Sequence, residues 1–224
     1  WVFAARDTAE TYYRRVNNIQ LDENDYHPDN VHFTEEDVFN CYYRDGCTGG
    51  APQAPFVWFR EFGISLASEA PFTRNYDRKK QCVQHRAVYK LPAVCLSVKL
   101  TENIEDSIKT YLLEYGPVQV AIRGDDIQGL KGVWKGPLTG DLNHAIMLVG
   151  WDEENWILKN SWCQNWGVDG YLIIPKTTNS GIEEQINFIR PQDPSDAAAE
   201  ASGEPQWNPD ELPDPDEFNF NFKY

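Results

Sequence analysis

The chain has 224 residues, of which 41% are hydrophobic and 13% aromatic, and it carries a formal net charge of −15 at pH 7. This length and apolar content provide enough core for one large domain or two small ones. The acidic balance argues against nucleic acid and anionic membranes as partners. No apolar run approaches the roughly 18 residues that a membrane-spanning helix needs, and no signal peptide is recognisable. Because the chain begins at Trp1 without an initiator methionine, we expect a processed or truncated product.

The first predicted element is a helix over residues 1 to 17. Its apolar residues recur at a spacing of three to four, which places on one face Val2, Ala5, Ala9, Tyr12 and Val16. The polar residues 18 to 33 predict a loop. Thr34 then caps a short predicted helix, with Asp37 three residues later in a pattern similar to a capping box.

The next elements alternate between helices and strands. An aromatic helix over residues 53 to 62 ends at Gly63, because glycine is a favourable residue just after a helix. Periodicity then predicts a strand from Val94 to Leu100, a helix over 103 to 115 with Ile104, Ile108, Leu112 and Tyr115 on one face, and a strand from Val118 to Ile122. Residues 124 to 141 form glycine-rich connections, and the last predicted strand runs from Gly170 to Pro175.

The stretch from 142 to 166 contains the strongest chemical signal. Two apolar runs, 145 to 149 and 156 to 158, predict two buried strands joined by a hairpin. Pairing these strands brings His144, before the first run, towards Asn160, after the second. An amide oxygen that accepts from one imidazole nitrogen leaves the other nitrogen free to act as a base. The alternative is a buried, hydrogen-bonded core histidine beside an asparagine in a turn.

Five cysteines are present: Cys41, Cys47, Cys82, Cys95 and Cys163. None has the spacing of a zinc site, so we expect no metal, and nothing in the sequence indicates another cofactor. An odd number leaves at least one thiol free or paired outside this chain. Five reduced thiols in a cytosolic protein remain an alternative to disulfides.

Several strings, taken together and in order, resemble papain-like cysteine peptidases. They are W-V-F-A-A at the start, C-T-G-G at 47–50, G-P-V-Q-V-A-I at 116–122, N-H-A-I at 143–146 and K-N-S-W-C-Q-N-W-G at 159–167. The resemblance implies an α+β, papain-like two-lobed fold. Its helical left lobe would cover residues 1–92 and its antiparallel β-barrel right lobe residues 93–190. An acidic, low-complexity tail over 191–224 would follow.

The resemblance also implies roles for individual residues. His144 would be the catalytic base, Asn160 its orienting partner and Trp162 the indole that shields them. Residues that would bind an extended peptide are Gly49, Gly50, Ala121, Leu142, Asn143 and Gln185, with Gln185 at the floor of the S2 pocket. Cys163 departs from the glycine that the family has after this tryptophan.

In the family the nucleophilic cysteine immediately precedes the position of Trp1, so the chain as given lacks it. Two functions therefore stay open: a cysteine peptidase, or an inactive papain-like subunit that binds partners. The resemblance further implies a Cys41–Cys82 disulfide, with Cys47 unpaired or bound to another chain, and a secretory, endolysosomal or extracellular location. Expected partners are a peptide or protein substrate, and a chain that contacts the acidic tail or supplies the missing N-terminal stretch.

Overall fold

Two hydrophobic cores, one built on helices and one on a sheet, organise the part of the chain that the structure describes. The computed structural model describes residues 1–19, 31–42, 49–73, 86–91 and 93–193. The helical core includes Val2, Ala5 and Phe56, whereas the sheet core includes Leu148 and Leu158. This arrangement confirms the predicted two-lobed α+β fold, while the exact boundaries of the lobes stay a prediction.

The helical core surrounds α1, which runs from Val2 to Val16 as predicted. Its buried face packs on α2, Ala54–Glu61, which ends before Gly63. Gly63 has φ +89 and donates its N–H to the carbonyl of Trp58, in agreement with its predicted role at the helix end. The prediction that Val16 belongs to the buried face is wrong, because Val16 lies in the last turn and is 47% exposed.

The segment after residue 33 differs from its prediction. Thr34 Oγ1 accepts from the N–H of Glu36 at 3.0 Å, but Asp37 accepts from the Ser65 hydroxyl at 2.7 Å and closes no capping box. The short helix that follows, Val38–Tyr42, is a π-helix. The N–H of Thr34, which a capping box would direct to Asp37, donates instead to the carbonyl of Ser65 at 3.0 Å.

Six strands in the described residues form one antiparallel sheet in the order β1-β6-β2-β3-β4-β5. They are β1 Ala93–Val98, β2 Val118–Ile122, β3 His144–Trp151, β4 Asn155–Lys159, β5 Tyr171–Pro175 and β6 Ile186–Pro191. The prediction of β5 as the last strand is wrong, because β6 follows and pairs with both β1 and β2. Asn187 interrupts the apolar run of β6, and this strand depends on ladder bonds to two neighbours.

The third helix, α3, runs from Ile104 to Tyr115 and packs on the sheet through Ile108 and Leu112. Tyr115 stacks on Phe188 of β6 at a centroid distance of 4.8 Å. Ile104 is 37% exposed, so its predicted place on the buried face is wrong.

The two cores meet along α1. Ala145 of β3 and Ile189 of β6 belong to the helical core, so the sheet supplies part of the surface on which α1 packs. The structure describes no residue after 193, so the predicted acidic tail beyond that point lies outside the described residues. None of the helices in the described ranges has both the length and the apolar character that a membrane crossing requires.

Candidate active site

The hairpin of β3 and β4 brings His144 and Asn160 together. Met147 pairs with Lys159, so the residues at the open end of the hairpin lie side by side. The distance from His144 Nε2 to Asn160 Oδ1 is 2.9 Å. The predicted proximity of these two side chains is therefore confirmed.

The hydrogen bonds determine which imidazole nitrogen carries the proton. Asn160 Oδ1 also accepts from the backbone N–H of Ser161 at 2.8 Å, which fixes the orientation of the amide. An amide oxygen can only accept, so Nε2–H of His144 donates to it. His144 Nδ1 is then the nitrogen with a free lone pair, and it can accept a proton from a neighbouring group.

An indole covers this hydrogen bond. The rings of His144 and Trp162 lie 4.6 Å apart with an interplanar angle of 34°, and Trp162 in turn contacts Trp166 edge-on at 5.2 Å. His144 is only 9% exposed. Asn160 Nδ2 is also buried and has no hydrogen-bond partner in the described structure. Trp162 therefore lies against the His144 ring, and its role in shielding the His144–Asn160 bond from water stays a prediction.

The surroundings of His144 favour the neutral imidazole. The pKa of His144 is lowered to about 4, chiefly by burial and also by the amine of Trp1 where that amine is protonated, and the hydrogen bond with Asn160 opposes both effects. The ring is therefore neutral at pH 7 in this chain.

Gly124 and Asn143 form a tight support behind His144. A Cβ on Gly124 would lie 2.6 Å from His144 Cβ and 3.2 Å from Asn143 Oδ1. Asn143 Oδ1 accepts the N–H of Gly124 at 2.7 Å, so its side chain is engaged within the protein. Sequence reasoning assigned Gly124 to a connection. The only signal that it could have used was the glycine itself.

The other predicted binding residues come from both lobes. Gly49 has φ +105, and a Cβ on Gly50 would lie 2.8 Å from the Trp1 indole. Ala121 is buried on β2, and its N–H donates to the Gln185 carbonyl at 3.1 Å. The structure thus brings Ala121 and Gln185 together.

The side chain of Gln185 crosses to the helical lobe. Its Nε2 donates to Oε1 of Gln53, the residue before α2, at 3.1 Å. Sequence reasoning did not identify Gln53, since nothing in its neighbourhood signals a contact 132 residues away. Leu142 is partly buried beside Gly181, whose added Cβ would lie 2.3 Å from Leu142 Cδ2.

The described cysteines divide into bonded and free. Cys41 is disulfide-bonded, but Cys82 and Cys47 lie outside the described residues, so the Cys41–Cys82 pairing stays a prediction. Cys95 and Cys163 are free thiols. Cys163 is exposed with φ +69, a conformation that favours glycine. No group of three or more His, Cys, Asp or Glu side chains in the described ranges is placed to hold a metal ion.

Comparison with known proteins identifies a family whose model matches most of the chain. The family model described as "Papain family cysteine protease" matches residues 1–189. A viral cathepsin of Choristoneura fumiferana nuclear polyhedrosis virus is 29% identical over 194 residues, covering 83% of this chain and 56% of the viral protein. A cysteine proteinase of Trypanosoma brucei brucei is 32% identical over 167 residues, covering 69% of this chain and 36% of that protein. The chain thus spans about half or less of the length of these curated relatives.

Solved structures of similar fold include plant and insect proteins. The bromelain protease from Ananas comosus, in complex with the E64 inhibitor, has a TM-score of 0.67 at 24% identity, covering 86% of this chain and 88% of that one. Digestive procathepsin L 3 of Tenebrio molitor larval midgut has a TM-score of 0.63 at 26% identity, covering 84% of this chain and 62% of that one.

Proposed function

We propose, because this chain belongs to the papain family of cysteine proteases, that the protein hydrolyses peptide bonds with a cysteine nucleophile. The nucleophile would be the residue that immediately precedes Trp1 in the full-length protein. The observation that carries this proposal is the His144–Asn160 hydrogen bond of 2.9 Å, covered by Trp162, at the beginning of the strand β3 that packs on α1.

Each group has a defined task in the proposed reaction. The thiol transfers its proton to His144 Nδ1, and the thiolate attacks the carbonyl carbon of the scissile peptide bond. Collapse of the tetrahedral intermediate breaks the C–N bond as the imidazolium donates its proton to the leaving amine. His144 then takes a proton from water as the water oxygen attacks the thioester carbonyl. Collapse of this second intermediate breaks the C–S bond and releases the carboxylic acid product, and the thiolate remains paired with the imidazolium of His144.

Two features of the fold support formation of the thiolate. The N-terminus of α1, a helix of 15 residues, carries a partial positive charge that stabilises an anion. The imidazolium formed at His144 adds a full positive charge, and the thiolate in turn raises the pKa of His144 above its value in this chain. Asn160 keeps Nδ1 facing the thiol throughout.

The proposed substrate site combines backbone from one lobe with a pocket from the other. Gly49 and Gly50 would pair with an extended peptide, since neither carries a side chain that blocks the approach. The pocket beside them would be formed by Ala121 and Leu142, with Asn143 next to His144. Gln185, held by Gln53, would provide a polar floor.

The alternative is an inactive papain-like subunit that uses the same cleft for binding. The observation that favours it is the position of the free thiols Cys95 and Cys163. Cys95 lies on β1, and Cys163 lies in a turn at positive φ, so neither is at a helix N-terminus that would activate it. Without a cysteine before Trp1, no described thiol can replace the nucleophile.

The location and partners of the protein are part of the same proposal. The disulfide at Cys41 supports an oxidising compartment, namely the secretory pathway, an endolysosome or the extracellular space. The substrate would be a peptide or protein. A further chain could contact the acidic segment after residue 193 or supply the stretch before Trp1.

The test is covalent labelling of the native, full-length protein with a thiol-directed epoxide, followed by peptide mapping. We expect one adduct, on a cysteine immediately before Trp1, and its loss in His144→Ala. A cysteine at that position that stays unlabelled would contradict a peptidase. Any other residue at that position would favour the inactive subunit.

A further inference from the structure

Two amide side chains lie fully buried between β2 and β6. Gln119 and Asn187 are each 0% exposed, and they are direct partners in the antiparallel register of these strands. Both lie within the sheet lobe, in strands that otherwise bury apolar residues such as Val118 and Phe188. The proposed peptidase reaction assigns neither of them a task.

Two consecutive hydrogen bonds connect Asn187 to Gln119 and Gln119 to Trp1, the residue before α1. Asn187 Nδ2 donates to Gln119 Oε1 at 2.9 Å, which turns Gln119 Nε2 in the opposite direction. Nε2 donates in turn to the backbone carbonyl of Trp1 at 3.2 Å, a buried contact between residues 118 positions apart. Asn187 therefore orients Gln119, and Gln119 holds the carbonyl of Trp1, the residue that precedes α1.

Burial of these two amides in the core lowers the stability of the fold. Asn187 Oδ1 is buried and has no hydrogen-bond partner in the described structure, and an orphaned buried acceptor reduces the stability of the fold. Two apolar side chains of similar size would avoid this loss. What the amides provide instead is a fixed distance between β2 and the start of α1.

That distance is critical for the proposed site. Ile122, three residues after Gln119 on β2, lies directly opposite His144 on β3. The same strand thus holds His144 by its ladder bonds and the start of α1 by Gln119. A misplacement of a reacting group by about 1 Å can reduce a rate on the order of 100-fold.

We propose that Gln119 is a positioning residue of the active site, oriented by Asn187, which sets the residue before Trp1 against Nδ1 of His144. This inference rests on the proposed function. Gln119 acts through the Trp1 carbonyl and does not itself contact the reacting atoms. The relay joins the two walls of the cleft, so that the nucleophile and its base keep one separation.

The experiment uses three variants of the full-length protein. Gln119→Met removes the bond to Trp1 and leaves both Asn187 groups unpaired, so we expect a lower Tm and a lower kcat. Gln119→Met combined with Asn187→Leu removes both amides, so we expect Tm to recover while kcat stays about 100-fold low with little change in KM. Gln128→Met, at an exposed position, is the matched control and should change neither Tm nor kcat.

The double variant separates positioning from stability. The inference would be overturned if the kcat of the double variant recovered together with its Tm. It would also be overturned if Gln119→Met kept the wild-type kcat. If the wild-type protein neither reacts with the epoxide nor cleaves peptides, the proposed function fails independently. The inference is then decided by NMR titration of His144: we expect its pKa to rise by about one unit in the double variant as water reaches the ring, and an unchanged value overturns it.

Discussion

The backbone of Gly124 passes directly beside His144, and no side chain fits between them. An added Cβ would lie 2.6 Å from His144 Cβ, although φ of −99 at Gly124 suits any residue. The obstacle to a larger residue is therefore the imidazole and not backbone strain. The position of the proposed base depends on a residue that has no functional group.

Gly124→Ala should therefore displace His144. We expect a loss of about 1–3 kcal/mol in the free energy of unfolding, which is typical of overpacking, together with disruption of the His144–Asn160 bond. Urea unfolding and the histidine ring signals in NMR measure the two effects. Gly129→Ala is the control, because nothing lies within 4 Å of its Cβ position. Equal effects of the two substitutions would contradict the steric argument.

The buried His144 should also make stability depend on pH. Its pKa falls from 6.5 in the unfolded chain to about 4 in the folded chain. Between these values the unfolded state binds the proton and the folded state does not, so stability decreases as pH falls from 6.5 towards 4. The contribution that is lost is on the order of 3 kcal/mol.

The comparison that isolates this effect is the 224-residue chain against its His144→Gln variant. Urea unfolding at several values between pH 7 and pH 4 should show a steeper loss of stability for the unaltered chain. Titrating groups that do not interact with His144 contribute equally to both proteins and cancel in the difference. Parallel curves would mean that His144 is not buried in the neutral form.

At the scale of elements, the carboxylate of Glu10 is a central contact between α1 and the segment after residue 30. Glu10 accepts from Arg14 at 2.9 Å and from the backbone N–H of Phe33, also at 2.9 Å. Arg14 is buried and, among the described residues, bonds otherwise to the carbonyl of Val31 at 3.2 Å. The carboxylate thus joins a helix to a non-helical segment that supplies Phe33 to the core.

Removing this carboxylate should loosen both elements. Glu10→Ala removes the carboxylate that pairs with the buried guanidinium of Arg14 and the acceptor of the Phe33 N–H, so we expect a loss of about 3 kcal/mol. Glu102→Ala, at an exposed glutamate, should change stability by less than about 0.5 kcal/mol. Chemical unfolding of both variants tests this difference. A small effect at Glu10 would indicate that water takes its place.

Whether a helix or strand can be predicted from sequence depends on whether its own apolar pattern or its distant partners stabilise it. The periods of α1 and β2 are visible in sequence, because one continuous face of each is apolar. β6 was missed, since buried Asn187 interrupts its pattern and the strand depends on partners far away in sequence. The capping box at Thr34 was wrong because Asp37 meets Ser65, 28 residues further along.

On the scale of the whole molecule, the two lobes share one interface. Ala145 and Ile189 come from the sheet yet pack in the core around α1. Lys159 of β4 forms an ion pair with Asp7 of α1 at 2.9 Å, and Gln119 bonds to Trp1. A lobe that unfolded alone would expose this apolar surface and leave buried polar groups unpaired.

We therefore expect the lobes to unfold together. Pulsed hydrogen exchange along a urea series should show the amides of α1 and of β3 becoming exposed at the same urea midpoint. Exposure of α1 at a lower midpoint, with β3 still protected, would show that the lobes are independent units. Amides of the exposed end of α1 at Val16 serve as the internal reference for local fraying.

By itself, the sequence determined the fold class and the three groups of the proposed site, His144, Asn160 and Trp162. Apolar periodicity reports burial directly, and the order of several motifs is specific to one family. The tertiary structure decided what supports those groups: the gap at Gly124, the Gln53–Gln185 contact and the relay from Asn187 through Gln119 to Trp1. A buried polar residue reads as a surface residue in sequence, because its partners are brought to it only when distant strands and helices pack.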